Sequence, residues 1–190
     1  MAVNLEKGQK ISLNKEAGGE LTKIAMGLGW DVAKGGFFGF GGGSIDLDAS
    51  AFIFDQQNQL VDVVYFGQLN SKDGSVRHSG DNLTGEGDGD DEVINVDLSR
   101  LGANVKALVF TVSSYRGQTF DKVNNAYCRL VNLANNREVA RYNLSAAGSH
   151  TAQIMAKLYR HGGEWKMHAI GENCQGSSPD KLVPLLVNYL

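Results

Sequence analysis

The sequence predicts an all-β protein folded as a two-sheet β-sandwich. Three observations point there. Ten short segments alternate apolar and polar residues or run as β-branched stretches, turn residues bound nearly all of them, and only one stretch carries a helical stripe. Many short strands with little helix must bury their apolar faces sheet against sheet. A chain of 190 residues suits one domain, residues 1–190, and can bury roughly 70% of its unfolded surface without covalent staples.

The predicted strands follow in order. Residues 10–13 and 21–28 come first, the second carrying Ile24, Met26 and Leu28 at every other position. Residues 45–54 open on Ile45-Asp46-Leu47-Asp48, and 61–66 follow after the turn at 55–59. Residues 93–98, Val-Ile-Asn-Val-Asp-Leu, alternate strictly. Strands at 107–113, 126–133, 138–143, 154–160 and 165–171 complete the set. Gly162-Gly163 between the last two supplies the positive φ of a tight hairpin, and residues 134–137 read as another turn. Residues 179–190 are the expected helix, with Leu182, Leu185, Leu186 and Tyr189 on one stripe and Pro184 inside it.

Charge is concentrated. The net charge is only −3, yet residues 81–92 hold Asp81, Glu86, Asp88, Asp90, Asp91 and Glu92 with no Lys or Arg, and Asp46 and Asp48 add two more carboxylates. The rest of the chain is therefore net positive. A nucleic-acid binder concentrates the opposite sign, so no nucleic-acid partner is expected. The N-terminus lacks an apolar leader, and no stretch approaches about 18 uninterrupted apolar residues. Cys128 and Cys174 have no C-x-x-C spacing. A cytoplasmic protein with free thiols is the expectation.

Like charges this dense repel, and each pair at about 4 Å costs on the order of 1 kcal/mol in water. Oxygen donors without His or Cys select a hard cation, and calcium accepts six to eight of them at flexible angles. The 81–92 segment has the length of an EF-hand loop but not its pattern. Leu83 and Gly85 stand where ligands belong, Glu86 stands where the turn glycine belongs, and a strand follows in place of a helix. Calcium sites on sandwiches are instead assembled from loops at one end. Asp46 and Asp48, spaced i, i+2, share one face and can supply the distant ligands, and Asp31 can join from the preceding strand end. The expected ligands are Asp46, Asp48, Asp81, Asp91 and Glu92, with Asn82, Glu86 and Asp90 contributing and Asp31 and Asp88 weaker. The plain alternative is a solvated acidic connection, and composition leaves the two readings level.

Other chemistry finds little support. His161, Glu164 and His168 lack zinc spacing, no G-x-S-x-G nucleophile elbow is present, and the carboxylates of Gly85–Gly89 would repel a phosphate. Gly35 to Gly43 form a glycine/phenylalanine insertion that reads as a surface loop and a candidate contact site. Cys128 reads as an inert core residue and Cys174 as the more reactive thiol.

Several segments carry a family resemblance. They are Gly27-Leu28-Gly29-Trp30-Asp31, Asp46-Leu47-Asp48-Ala49-Ser50, residues 80–92 with Val96-Asp97-Leu98, then 120–130, 140–144 and 158–166. Together they resemble the TerD tellurium-resistance family, closest to its Z-type branch, over nearly the whole chain. The resemblance implies a sandwich with two neighbouring calcium ions. It also implies a role in tellurite, phage and colicin resistance, alongside other tellurite-resistance proteins in a complex peripheral to the inner membrane. It implies no catalytic activity. The alternatives are a thiol-dependent enzyme that detoxifies oxyanions and a plain structural subunit.

Overall fold

The structure, a computed structural model, describes residues 2–32, 46–80, 89–144 and 148–190. Its strands are β1 (Val3–Leu5), β2 (Lys10–Ser12), β3 (Lys23–Val32), β4 (Asp48–Asp55), β5 (Leu60–Val64) and β6 (Val76–His78) in the first half. The second half adds β7 (Glu92–Asp97), β8 (Val105–Ser113), β9 (Val123–Asn132), β10 (Arg137–Asn143), β11 (Ala152–His161) and β12 (Glu164–Cys174). Two helices, α1 (Leu13–Ala17) and α2 (Pro179–Leu186), complete the elements used below.

The strands form two six-stranded sheets. Sheet A runs β1-β10-β9-β3-β7-β6 and sheet B runs β2-β12-β11-β8-β4-β5. Every strand pairing is antiparallel except β1 with β10. Alternation sends Ile24, Met26, Leu28 and Trp30 of β3 inward against Leu108, Phe110, Met155 and Leu158 of sheet B. Sheet B is apolar on its outer face as well. There Phe52, Phe54, Val109, Ile154 and Ile170 are covered by Leu182 and Leu186 of α2, as the stripe in residues 179–190 predicts. Pro184 is accommodated inside this helix, and a 3₁₀ turn at Val187–Tyr189 follows.

All ten expected strands are present with shifted ends, and among the described residues β1, β6, α1 and a 3₁₀ turn at Phe120–Lys122 are additional. β1 and β6 are three residues long, too short to show a period. α1 replaces the end of the 10–13 strand. Ser12 accepts from the Lys15 N–H to cap its start, and Gly18 at φ 75° ends it in the left-handed region. The β11–β12 hairpin turns through Gly162 at φ 62° and Gly163 at φ 81°, as read from sequence. The glycine/phenylalanine insertion lies outside the described residues, as do Asp81, Asn82, Glu86 and Asp88.

The topology collects the ends of five strands at one pole. β3 ends beside the start of β7, with Leu28 opposite Glu92, and beside the start of β9, with Val32 opposite Val123. β4 starts beside the end of β8, with Asp48 opposite Ser113. Every described residue of the expected ligand set lies at this pole.

Candidate metal centre

The pole is assembled on sheet A by two glycines of β3. Gly27 and Gly29 sit on the outer face, opposite Arg129 and Tyr127 of β9. A Cβ on Gly27 would stand 2.0 Å from Asp90 Oδ2, and one on Gly29 would stand 2.4 Å from the Tyr127 ring. The bare backbone thus leaves room for the carboxylate and the phenol to lie flat on the sheet. Arg129 Nε donates to Asp90 Oδ1 at 2.7 Å, and Arg129 reaches Glu138 Oε2 at 3.3 Å. The Tyr127 hydroxyl donates to the Gly89 carbonyl at 2.6 Å and lies 3.1 Å from Asp90 Oδ1. Burial, then the charge of Asp90, pushes the Tyr127 phenol up to about 12, so it remains a donor at neutral pH. The Arg141 guanidinium stacks on the same ring at 3.7 Å.

Asp91 continues the β3–β7 ladder. Its N–H donates to the Leu28 carbonyl at 2.8 Å, and its Oδ2 accepts the Trp30 N–H at 2.7 Å. Its carboxyl is held above the usual range, first by burial and then by the charges of Asp31, Asp90 and Glu92, with the Trp30 N–H opposing. Asp31 is exposed on β3 and accepts from Asn125 Nδ2 at 2.8 Å. Trp30, Asp31, Gly89, Asp91, Asn125, Tyr127 and Arg141 line a cleft of about 320 Å³.

Asp46 and Asp48 form a second group, on sheet B. Both are buried, and alternation along β4 turns Asp48 to the side of Ser50 and Phe52. Asp48 Oδ2 accepts the Tyr115 N–H at 3.3 Å. Asp46 Oδ2 lies 3.3 Å from Arg116 Nε, and the Asp46 N–H donates to Gln118 Oε1 at 3.3 Å.

Glu92 joins the two groups. The first residue of β7, it takes an inward position and is fully buried. Its Oε2 accepts the Ala49 N–H of β4 across the sandwich at 2.6 Å and lies 3.2 Å from His78 Nε2. A carboxylate at such a position is tolerated only with donors supplied.

The arrangement offers oxygen donors and excess negative charge, which suit a hard divalent cation. Asp31, Asp91, Asp46 and Asp48 are the described carboxylates whose surroundings fit that role best, because Asp90 is engaged at 2.7 Å by the partly buried Arg129 and Glu92 by the Ala49 N–H and His78, whereas the Arg116 partner of Asp46 is exposed and 3.3 Å away. Among the described residues, no three His, Cys, Asp or Glu side chains form a metal-holding group by themselves. Sequence reasoning missed the partners Tyr127, Arg129, Asn125, Arg116 and His78. Only the two outward glycines of β3 hinted that something large lies across that strand.

Burial disfavours the thiolate at both cysteines. Cys128 is a fully buried free thiol, and burial pushes it up to about 12. Half-buried Cys174 is pushed up to about 11, also by burial, so it is the more accessible and more acidic of the two thiols, in the order read from sequence.

Comparison with known proteins places these observations in a family. The TerD domain model matches residues 1–189. The chain is 50% identical over 185 residues to the tellurium resistance protein TerZ of Serratia marcescens, covering 95% of this chain and 94% of that protein. It is 43% identical to the stress response protein SCP2 of Bacillus subtilis over the full length of both. A crystal structure of a telluride resistance protein (TerD) homologue from Streptomyces coelicolor superimposes with a TM-score of 0.70 at 22% identity. That match covers 86% of this chain and 96% of the other, and supports the same fold. By sequence and by fold, this chain belongs to the TerD family.

Proposed function

We propose that this protein is a non-enzymatic calcium-binding module of the tellurium-resistance and stress-response type. Two calcium ions at the carboxylate-rich pole give it a rigid surface for partner proteins. The observation that carries this reading is the placement of acidic groups of both sheets at one pole, linked by the Glu92–Ala49 hydrogen bond. Asp31 and Asp91 lie on sheet A, Asp46 and Asp48 lie on sheet B, and Glu92 bonds across to Ala49. Asp31, Asp91, Asp46 and Asp48 would hold metal, with Asp81, Asn82 and Glu86 as the remaining donors. Calcium would supply charge compensation and cross-linking. Relatives named for tellurium resistance and stress response support the physiological side, and other tellurite-resistance proteins near the inner membrane are the proposed partners. High thiol pKa values argue against a thiol-dependent enzyme.

A second reading has its own support. Asp90 and Asp46 already carry arginine partners, which is what a purely structural acidic pole requires. Calorimetric titration of the full chain with calcium chloride separates the two. Saturable heat that persists in excess magnesium supports the calcium module, and no heat supports the structural subunit.

A further inference from the structure

We propose that His78 is a positioning residue, a buried imidazole that fixes both ends of the acidic segment and ties them to sheet B. The inference rests on the calcium reading and extends it to a residue outside the carboxylates.

His78 ends β6, and alternation turns its side chain inward, where it is fully buried. Its Nδ1 accepts the Gly80 N–H at 3.1 Å. A ring nitrogen that accepts carries no proton, so the proton sits on Nε2, which donates to Glu92 Oε2 at 3.2 Å. The same oxygen accepts the Ala49 N–H at 2.6 Å. Gly80 immediately precedes residues 81–92, Glu92 closes them, and Ala49 adjoins Asp48. One chain of hydrogen bonds therefore runs from the start of the acidic segment, through its end, to the strand that carries Asp48.

A core-filling histidine would need only volume. This one instead supplies a donor to a buried carboxylate and uses its second nitrogen on the backbone. Outer-shell groups of this kind orient ligands without touching the ion.

The test is calcium titration of the full-length wild type, H78Q, H78N and H78L by calorimetry. Gln retains a donor near the Nε2 position, Asn an acceptor near Nδ1, and Leu the volume alone. H78Q should bind within about threefold of wild type, and H78N and H78L about 10–100-fold more weakly, the range typical of outer-shell partners. If H78L binds calcium as tightly as wild type while melting lower with and without the ion, His78 is a core residue and the proposal is overturned. Absence of calcium binding by wild type would instead refute the calcium reading. Amide exchange in the metal-free proteins then decides the remainder. Protection lost at both Gly80 and Ala49 in H78L supports the hydrogen-bond chain, and unchanged protection overturns it. Should H78L fail to fold, nitrogen NMR of the wild-type imidazole still discriminates, because an Nδ1–H tautomer or a doubly protonated ring contradicts the assigned donors.

Discussion

Replacing Gly27 by Ala should act almost wholly through Asp90. The new Cβ would lie 2.0 Å from Asp90 Oδ2 and 2.3 Å from its Cγ, so the carboxylate must move by more than an ångström. That movement breaks the 2.7 Å bond to Arg129 Nε. A hydrogen bond between charged groups contributes about 1.5–3 kcal/mol. Because the Arg129 side chain is 31% exposed, solvent screening reduces this to about 1–2 kcal/mol. Repacking the displaced segment adds about 1 kcal/mol, and removing a glycine from a strand returns about 0.5–1 kcal/mol. The net loss is about 1–2.5 kcal/mol, a fall in Tm of about 2–10 °C for a chain of this size. Thermal melts of the four members of a Gly27→Ala and Asp90→Ala double-mutant cycle test the assignment. With Asp90 truncated, Gly27→Ala should be neutral or slightly stabilising. An equal loss in both backgrounds would refute the argument that Gly27 exists to seat this carboxylate.

Asp73 supplies a pH prediction. Burial would raise its carboxyl, but hydrogen bonds from Ser75 and Ser71, then Arg100, outweigh it and hold the group below its ordinary value of 3.8. Because the folded value is depressed, the stabilisation is present above the unfolded pKa and lost as pH falls below it. Asp73→Asn should therefore lower Tm at pH 7, and the gap to wild type should close below about pH 3.8 in melts run across that range. The thiols give a second prediction. Iodoacetamide at pH 8, followed by mass spectrometry, should modify Cys174 slowly and Cys128 only after denaturant is added; rapid labelling of either in the native state would revive a thiol enzyme. Leu186→Ala opens a cavity between α2 and sheet B and should cost about 2–5 kcal/mol in urea unfolding. A loss under 1 kcal/mol would mean that the helix is a loose appendage.

Elements with a full period were legible in the sequence. Residues 93–98 alternate without exception and form β7, and the stripe at Leu182, Leu185 and Leu186 docks as α2. β1 and β6 escaped because three residues cannot establish a period. α1 escaped because five residues present no apolar face, although Ser12 and Gly18 were readable caps. At the site, the acidic clustering was plain, whereas the partners of those acids were not. Arg129 finds Asp90 through the β3–β9 register, and Glu92 finds Ala49 through the stacking of two sheets. Neither relation has a local signature. His78 shows this most sharply, since its role depends on a strand that the sequence does not announce.

In the proposed calcium centre the ions bind residues drawn from both sheets, so that distant carboxylates act together. Melting wild type, Asp48→Asn and Asp91→Asn with and without calcium tests it directly. At about 100 times its dissociation constant, a ligand confined to the folded state contributes roughly 2.7 kcal/mol, a rise of about 5–11 °C at this chain length. Each substitution should abolish most of that rise while leaving the metal-free protein equally or slightly more stable, because repulsion at the pole is relieved. If wild type shows no rise, or if Asp91→Asn removes it and Asp48→Asn leaves it whole, the two-sheet site is contradicted.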